Sequence, residues 1–192
     1  MKNYILMLFL LITYITKAQT LNYDIISNHF KLGDLTATKT EDKNNVKINI
    51  VSQVKIDLLI KTDVTYNVNC IYKNNQLMTS NVTVRENGRI HSINKTENLG
   101  TYYLLTDNKH SSNYFNKIYY SSALLYFKEP KNISIIFSET DNKNNIINHV
   151  GINEYQITNS KNGLKNQYYY KNGILQKAII HHSLFTFSII KK

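Results

Sequence analysis

Residues 164–182 read LKNQYYYKNGILQKAIIHH and set the architecture expected of the whole chain. Two runs rich in Tyr, Ile and Leu flank Asn172 and Gly173, and this dipeptide between β-prone runs is the strongest short-range signal for a β-hairpin. A two-residue type I′ turn needs positive φ at both central positions, which Asn and Gly tolerate best. The resulting register places Tyr170 opposite Leu175 and predicts an antiparallel β-protein.

A weaker copy of this hairpin occurs earlier in the chain. IYKNNQLM at residues 71–78 resembles YYKNGILQ at residues 169–176, and its register places Tyr72 opposite Leu77. In the later hairpin, the residues expected to share one face are Leu164, Tyr168, Leu175 and Ile179. The two copies predict that one hairpin design is used twice.

Alternation of apolar and polar residues recurs along the rest of the chain, as at Val46, Ile48 and Ile50. Turn signals separate roughly ten to twelve short strands, and no convincing amphipathic helix interrupts them. We therefore expect an all-β fold: a single antiparallel, strongly curved sheet or half-open β-barrel with short turns.

Three segments are less regular than this pattern. Gly33 interrupts an otherwise β-prone run at residues 21–40 and predicts a bend or bulge in one long strand. Residues 107–117 are polar and predict the longest loop. Residues 118–127 (IYYSSALLYF) fit a buried strand or a short helix, and Pro130 ends this run.

Residues 1–18 have the pattern of a signal peptide. Lys2 supplies a positive charge, an apolar run follows at residues 4–15, and Thr16 and Ala18 are the small residues expected before a cleavage site. We expect cleavage near Ala18, and residues 19–192 to form a single exported β-domain in the periplasm or outside the cell. A retained N-terminal anchor is the alternative.

The composition argues against a nucleic-acid partner and against an intrachain disulfide. The formal net charge is +10, but the lysines are scattered singly, so we expect no nucleic-acid partner. Cys70 is the only cysteine, which excludes an intrachain disulfide. It alternates with Tyr66, Val68 and Tyr72 and is predicted to be a small buried hydrophobic residue.

The histidines do not have the spacing of a metal site. Zinc ligands are usually brought together by a short motif, and none of the six histidines belongs to one. His181 and His182 are adjacent, so on a strand their side chains point to opposite faces. We expect no metal and no cofactor, with a site that includes the distant His149 as the alternative.

The acidic residues are expected to have structural roles and no catalytic role. Glu139 and Asp141 have the spacing of two carboxylates on one strand face, but they enter the polar segment DNKNN and are expected in a solvated turn. Glu129, before Pro130, is expected to be a hydrogen-bonded structural carboxylate at a chain bend. Because nucleophile-elbow, phosphate-loop and dinucleotide motifs are also missing, we expect no catalytic residues and no enzyme.

The tyrosines are the best candidates for a binding surface. The chain has 15 of them, several in adjacent pairs or triplets that place rings on both faces of a strand. Ordinary cross-strand packing explains such rings. The functional interpretation is an aromatic-lined concave surface, with Tyr102, Tyr168 and Tyr170 as ligand-binding residues.

Four short phrases carry a resemblance to a known group of proteins. They are GDL at 33–35, IYKN at 71–74, LYFKEP at 125–130 and YYYKNG at 168–173. Together they resemble an uncharacterised domain-of-unknown-function family of small exported proteins from flavobacterium-like bacteria. The resemblance implies an all-β exported domain and supplies no catalytic residues.

The sequence thus predicts an exported, non-catalytic binding protein that holds an apolar or amphiphilic small molecule in its curved sheet. An envelope structural or protein-interaction module is the first alternative. A small outer-membrane barrel or an uncharacterised enzyme is the remaining alternative. Contact with a membrane, without integral insertion, is compatible with each of the first two readings.

Overall fold

The computed structural model describes residues 17–57, 61–182 and 185–192. In these ranges it contains one short 3-10 helix, η1 (Ser122–Tyr126), and fourteen β-strands. The strands are β1 (Lys17–Ser27), β2 (Phe30–Asp42), β3 (Asn45–Asp57), β4 (Lys61–Lys73), β5 (Gln76–Glu86), β6 (Arg89–Asn98), β7 (Tyr103–Thr106), β8 (Ser111–Tyr114), β9 (Ile135–Ser138), β10 (Lys143–Gly151), β11 (Glu154–Thr158), β12 (Lys165–Lys171), β13 (Ile174–His181) and β14 (Thr186–Lys191). No helix in the described ranges is long and apolar enough to cross a membrane.

All fourteen strands belong to one antiparallel sheet. Their order is β8-β7-β6-β5-β4-β3-β2-β1-β14-β13-β12-β11-β10-β9, so β8 and β9 are its two end strands. Neighbouring strands are consecutive in the chain except where β1 pairs with β14. The ends do not pair with each other, and the prediction of a single, half-open antiparallel sheet is confirmed.

The strands alternate between a buried and a more exposed face. Leu21, Tyr23 and Ile25 of β1 are buried, and so are Val68 and Cys70 of β4. Their polar neighbours point outward, as the two-residue period of a strand requires. The buried face forms one hydrophobic core that runs through the whole sheet. Cys70 is a free, buried thiol in this core, as predicted.

Both predicted hairpins are present with the expected turn and register. Asn172 and Gly173 have φ values of 53° and 76°, and Tyr170 lies opposite Leu175. In the earlier copy, the turn residues at 74 and 75 have φ values of 51° and 62°, and Tyr72 lies opposite Leu77. These angles are those of the type I′ turn that matches the twist of the flanking strands.

A bulge follows each turn and changes the faces predicted beyond it. Tyr170 pairs with Leu175 but Tyr169 pairs with Lys177, so Gln176 is an extra residue in β13. Tyr168 therefore lies opposite Ala178, and Ile179 is on the other face, which corrects the prediction. Met78 is the equivalent extra residue of β5.

The expected long strand at residues 21–40 is two strands. The chain reverses at Asn28 and His29, whose φ values are 47° and 68°, and β1 pairs with β2. Gly33 lies inside β2, beside the irregularity in that pairing. A Cβ at this position would lie 1.9 Å from the carbonyl oxygen of Gln53, so the residue permits close approach of β3.

The other two irregular segments, residues 107–117 and 118–127, each contain regular secondary structure. Residues 107–117 are not one loop, because they contain β8. Residues 118–127 contain η1, which confirms the short helix over the buried strand. Of the predicted signal peptide, residues 1–16 lie outside the described ranges, and Lys17 and Ala18 begin β1.

Candidate functional site

The concave side of the sheet is occupied by the chain's own residues 118–130, which we call the plug. Its buried side chains are those of Ile118, Tyr120, Ser121, Ala123, Leu125, Phe127, Glu129 and Pro130. Tyr126 packs edge-on against Tyr23 of β1, with ring centroids 5.5 Å apart. The plug thus fills the space that a ligand would need in a curved sheet.

The plug enters and leaves the sheet at the same end, which we call the mouth. In an antiparallel sheet, alternate turns lie at the same end. The mouth therefore carries the turns β2–β3, β4–β5, β6–β7, β10–β11 and β12–β13. It also carries the end of β8, from which the plug begins, and the start of β9, to which it returns.

The two repeated hairpins hold the two ends of the plug. The Leu77 N–H donates to the Ile118 carbonyl at 2.9 Å, and the Glu129 N–H donates to the Gly173 carbonyl at 3.0 Å. Each hairpin is in turn held by a buried tyrosine. Tyr103 donates to the Leu77 carbonyl at 2.9 Å, and Tyr23 donates to the Leu175 carbonyl at 3.2 Å.

A buried carboxylate fastens the middle of the plug. Glu139, in the turn after β9, is 2% exposed, so the solvated turn expected for it is wrong. Its carboxylate accepts hydrogen bonds from the Ser121 hydroxyl and from the N–H groups of Ser122 and Ala123, at 3.1 Å for both N–H groups. It therefore caps the free N–H groups at the start of η1. Asp141 is half-buried.

Burial favours the uncharged forms of Glu139 and of its neighbour Cys70. Burial raises the pKa of Glu139 above its ordinary value, against the opposing effect of its hydrogen bonds. Burial also raises the pKa of Cys70, whose thiol lies 3.5 Å from the Glu139 carboxylate. Because the thiolate is the nucleophile in cysteine chemistry, this environment makes Cys70 inert. Tyr72 completes the cluster through a hydrogen bond with the Ser121 hydroxyl.

Glu129, within the plug, is the second buried acid. It accepts a hydrogen bond from the Tyr155 hydroxyl at 2.9 Å and lies 3.4 Å from the exposed Lys131 ammonium group. This agrees with the structural carboxylate predicted before Pro130. Both buried acids thus accept hydrogen bonds from groups that lie in the plug or pack against it.

The three predicted ligand-binding tyrosines occupy two separate places. Tyr168 and Tyr170 share the inner face of β12, and the Tyr170 ring meets that of Tyr155 edge-on at 5.6 Å. Tyr170 is 6% exposed, and its hydroxyl has no hydrogen-bond partner among the described residues. Tyr102 precedes β7, near the other end of the strand order, and its ring lies 6.0 Å from that of Phe115.

The two end strands of the sheet meet through side chains. The ring of Tyr114 on β8 lies 5.9 Å from the ring of Phe137 on β9. The Tyr114 hydroxyl also exchanges hydrogen bonds with the Asn144 side chain of β10. These contacts bring the ends together without a backbone ladder and explain a barrel-like shape with an open sheet.

A shallow cleft of about 200 Å³ lies at the mouth, against the plug. Its lining residues are Lys39, Glu41, Val46, Tyr72, Asn75, Tyr119, Leu124, Phe127 and Lys128. The Lys39 ammonium group lies 5.6 Å from the centre of the Phe127 ring and 2.8 Å from the Glu41 carboxylate. A second cleft, of about 390 Å³, lies at the opposite end beside Lys55 and Lys61.

Sequence reasoning missed the Glu139 cluster because its members are far apart in the chain. Ser121 and Cys70 precede Glu139 by 18 and 69 positions. The one local signal is the apolar run of residues 135–137 directly before Glu139. Three or more His, Cys, Asp or Glu side chains do not converge as metal ligands anywhere in the described ranges.

The chain belongs to the family Domain of unknown function (DUF6134), whose sequence profile matches residues 23–192. Its fold is similar to the crystal structure of a beta-barrel-like protein of domain of unknown function DUF1849 from Brucella abortus. The TM-score is 0.61 at 8% identity, over 90% of this chain and 94% of that chain, so this likeness concerns the fold alone. No curated protein matches the chain.

Proposed function

We propose that this member of the DUF6134 family is an exported, non-catalytic binding domain that engages a component of the cell envelope through its mouth. The plug is the observation that carries the proposal. It fills the concave face with buried side chains from Ile118 to Pro130, so a partner has to be met outside the sheet. An envelope interaction module therefore moves ahead of a carrier with an internal ligand.

The absence of a catalytic role is inferred from how the buried polar groups are used. The Glu139 carboxylate caps η1, and the Glu129 carboxylate accepts a hydrogen bond from Tyr155. A general acid or base must reach its substrate within hydrogen-bond distance. Both carboxylates are instead enclosed by side chains that hold the plug.

Several large apolar side chains at the mouth support its use as the contact surface. Phe115 is 73% exposed, Tyr119 is 54% exposed, and Ile152 at the β10–β11 turn is 90% exposed. Exposed aromatic residues of this size are enriched in binding surfaces. Phe115 and Tyr119 flank the point at which the plug begins.

Export is inferred from the leader pattern at residues 1–18. Cleavage after Ala18 would remove two residues from β1, which pair with Thr40 and Glu41, and would leave the rest of that strand in the sheet. Mass spectrometry of the N-terminal peptide of the secreted or periplasmic protein should show a start at Gln19, as glutamine or pyroglutamate. A start at Met1 would favour the retained anchor.

Site-specific photo-crosslinking tests the mouth. A photoreactive residue at Tyr119 or Phe115 should give discrete crosslinked species in living cells. Matched positions at the opposite end are Phe30 and Ile90, which are also exposed. Crosslinks from both ends alike, or from neither, would overturn the proposal.

Native mass spectrometry of residues 19–192 tests the carrier alternative. We expect the mass of the protein alone. A bound apolar molecule in stoichiometric amount would restore the ligand reading and require that the plug move. In that case, replacing Tyr102, Tyr168 and Tyr170 by Ala should lower ligand uptake more than it lowers the free energy of unfolding.

A further inference from the structure

We propose that the mouth docks on an anionic phospholipid surface, an inference that rests on the proposed function and names its partner. The surface consists of the exposed side chains around the plug's two ends and on the neighbouring turns. Its apolar members are Leu99, Phe115, Tyr119 and Ile152. Its cations are Lys73, Lys117, Lys128, Lys131 and Lys171.

The apolar members are distributed as separate tips. Leu99 lies on the β6–β7 connection, Ile152 on the β10–β11 turn, and Phe115 and Tyr119 at the entrance of the plug. A flat protein interface needs a contiguous, closely packed patch. Single aromatic and aliphatic side chains on several turns suit insertion between lipid headgroups, where the rings of Tyr and Phe lie at the apolar boundary.

The lysines surround these tips. Lys117 lies between Phe115 and Tyr119 in the chain, and Lys128 and Lys131 follow where the plug returns. All three are exposed, although Lys131 also lies near the Glu129 carboxylate. Each lysine close to an anionic leaflet adds to the attraction.

Acidic groups at the mouth reduce this attraction without cancelling it. Among the described residues, the exposed acids at this end are Asp42 and Glu97, and Glu154 at the start of β11 is half-buried. Glu41 is half-buried and paired with Lys39, and both lie inside the cleft. The cations beside the plug therefore face solvent next to the apolar tips.

The first described residue of the chain lies at the mouth. β1 starts at the mouth, since Lys17 pairs with Glu41 near the β2–β3 turn. In the sequence, the apolar run at residues 4–15 comes almost directly before Lys17. Before cleavage, a leader held in the membrane would place the mouth at the end of the domain next to the bilayer.

Vesicle co-sedimentation of residues 19–192 tests the inference. We expect binding to vesicles containing about one third phosphatidylglycerol and little binding to pure phosphatidylcholine. The triple variant Lys117→Gln, Lys128→Gln, Lys131→Gln should lower the partition coefficient on the order of 100-fold, the equivalent of about 3 kcal/mol. The double variant Phe115→Ser, Tyr119→Ser should also weaken binding.

Charge-matched changes at the opposite end provide the control. Lys55→Gln, Lys109→Gln, Lys143→Gln removes the same charge far from the mouth and should change binding by less than about threefold. Equal loss in both triple variants, or equal binding to neutral and anionic vesicles, would overturn the docking surface. If vesicles are not bound but Tyr119 still crosslinks to an envelope protein, the lipid inference fails and the proposed function stands.

Discussion

The backbone N–H of Leu77 donates a hydrogen bond to the carbonyl oxygen of Ile118, over a distance of 2.9 Å. This bond joins the earlier hairpin to the first residue of the plug. The later hairpin makes the matching bond at the other end, from the Glu129 N–H to the Gly173 carbonyl. The hairpin design that occurs twice in the sequence therefore serves as two clamps on one internal segment.

Replacing Glu139 tests the middle attachment of the plug. Glu139→Ala leaves the Ser122 and Ala123 N–H groups without their acceptor and opens a cavity, so we expect a loss of about 2–4 kcal/mol in the free energy of unfolding. Urea unfolding measures this loss. The control is Glu97→Ala, an exposed acid in β6, which should cost less than about 0.5 kcal/mol.

The same carboxylate predicts a pH dependence. Because burial raises the pKa of Glu139, the folded state holds its proton more tightly than the unfolded state. The contribution of this group to stability is therefore greatest below the pKa of an unfolded glutamate, about 4.3, and falls as the pH rises above it. Glu139→Gln cannot titrate, so its stability should fall less than that of the wild type between pH 4 and pH 7. Parallel pH profiles of the two proteins would contradict the assignment.

Gly33 should be intolerant of any side chain. A Cβ there would lie 1.9 Å from the Gln53 carbonyl oxygen, a backbone atom that cannot move aside without separating β2 from β3. We expect Gly33→Ala to cost about 3 kcal/mol or more in thermal or urea unfolding. Gly151→Ala is the matched control, because the added Cβ meets only the flexible Glu154 side chain, 3.0 Å away. Similar losses in both variants would show that the close approach at Gly33 is not the cause.

Two buried tyrosine hydroxyls should contribute differently to the free energy of unfolding. The buried Tyr170 hydroxyl has no partner in the part of the chain that the structure describes, so Tyr170→Phe should be neutral or stabilise the fold by up to about 1 kcal/mol. The Tyr155 hydroxyl donates to Glu129, so Tyr155→Phe should cost about 1–3 kcal/mol. Differential scanning calorimetry of the two variants makes the comparison. A clear loss in Tyr170→Phe would reveal a partner for its hydroxyl.

The second turn position should favour glycine in both hairpins. Asn75 has a φ of 62° at the position that Gly173 occupies in the later turn. Since Gly is the favoured residue there, Asn75→Gly should stabilise the protein by up to about 1 kcal/mol. Gly173→Ala puts a Cβ at a φ of 76° and should cost about 1 kcal/mol. Thermal unfolding of both variants tests the equivalence of the two turns.

Local turn chemistry explains why the strand pattern was largely predictable. Asn-Gly and Asn-Asn determine a type I′ turn within four residues, so the register of Tyr170 with Leu175 and of Tyr72 with Leu77 could be read directly. The reversal at Asn28 and His29 was missed because Gly33, a stronger breaker by type, lies close by. Gly33 does not form a bend but allows β2 and β3 to approach closely.

The bulge at Gln176 was not predictable from the apolar pattern. Leu175, Ala178, Ile179 and Ile180 provide apolar residues in both phases of a strand, so either face assignment is consistent with the sequence. The pairing of Tyr169 with Lys177 resolves this ambiguity. Membership of a domain-of-unknown-function family is confirmed, and this chain is all-β. Flavobacterial origin and export stay predictions.

The order of residues alone was enough for the all-β class, the two hairpins and the single curved sheet, because these depend on the period of two and on turns of neighbouring residues. The plug and the burial of Glu139 depend on contacts between distant segments. A carboxylate beside DNKNN is polar by every local measure, and it is buried only because the folded sheet brings the N–H groups of η1 to it. Whether the concave face is open or filled is therefore a property of the assembled sheet, and it moves the expected binding surface from the interior to the mouth.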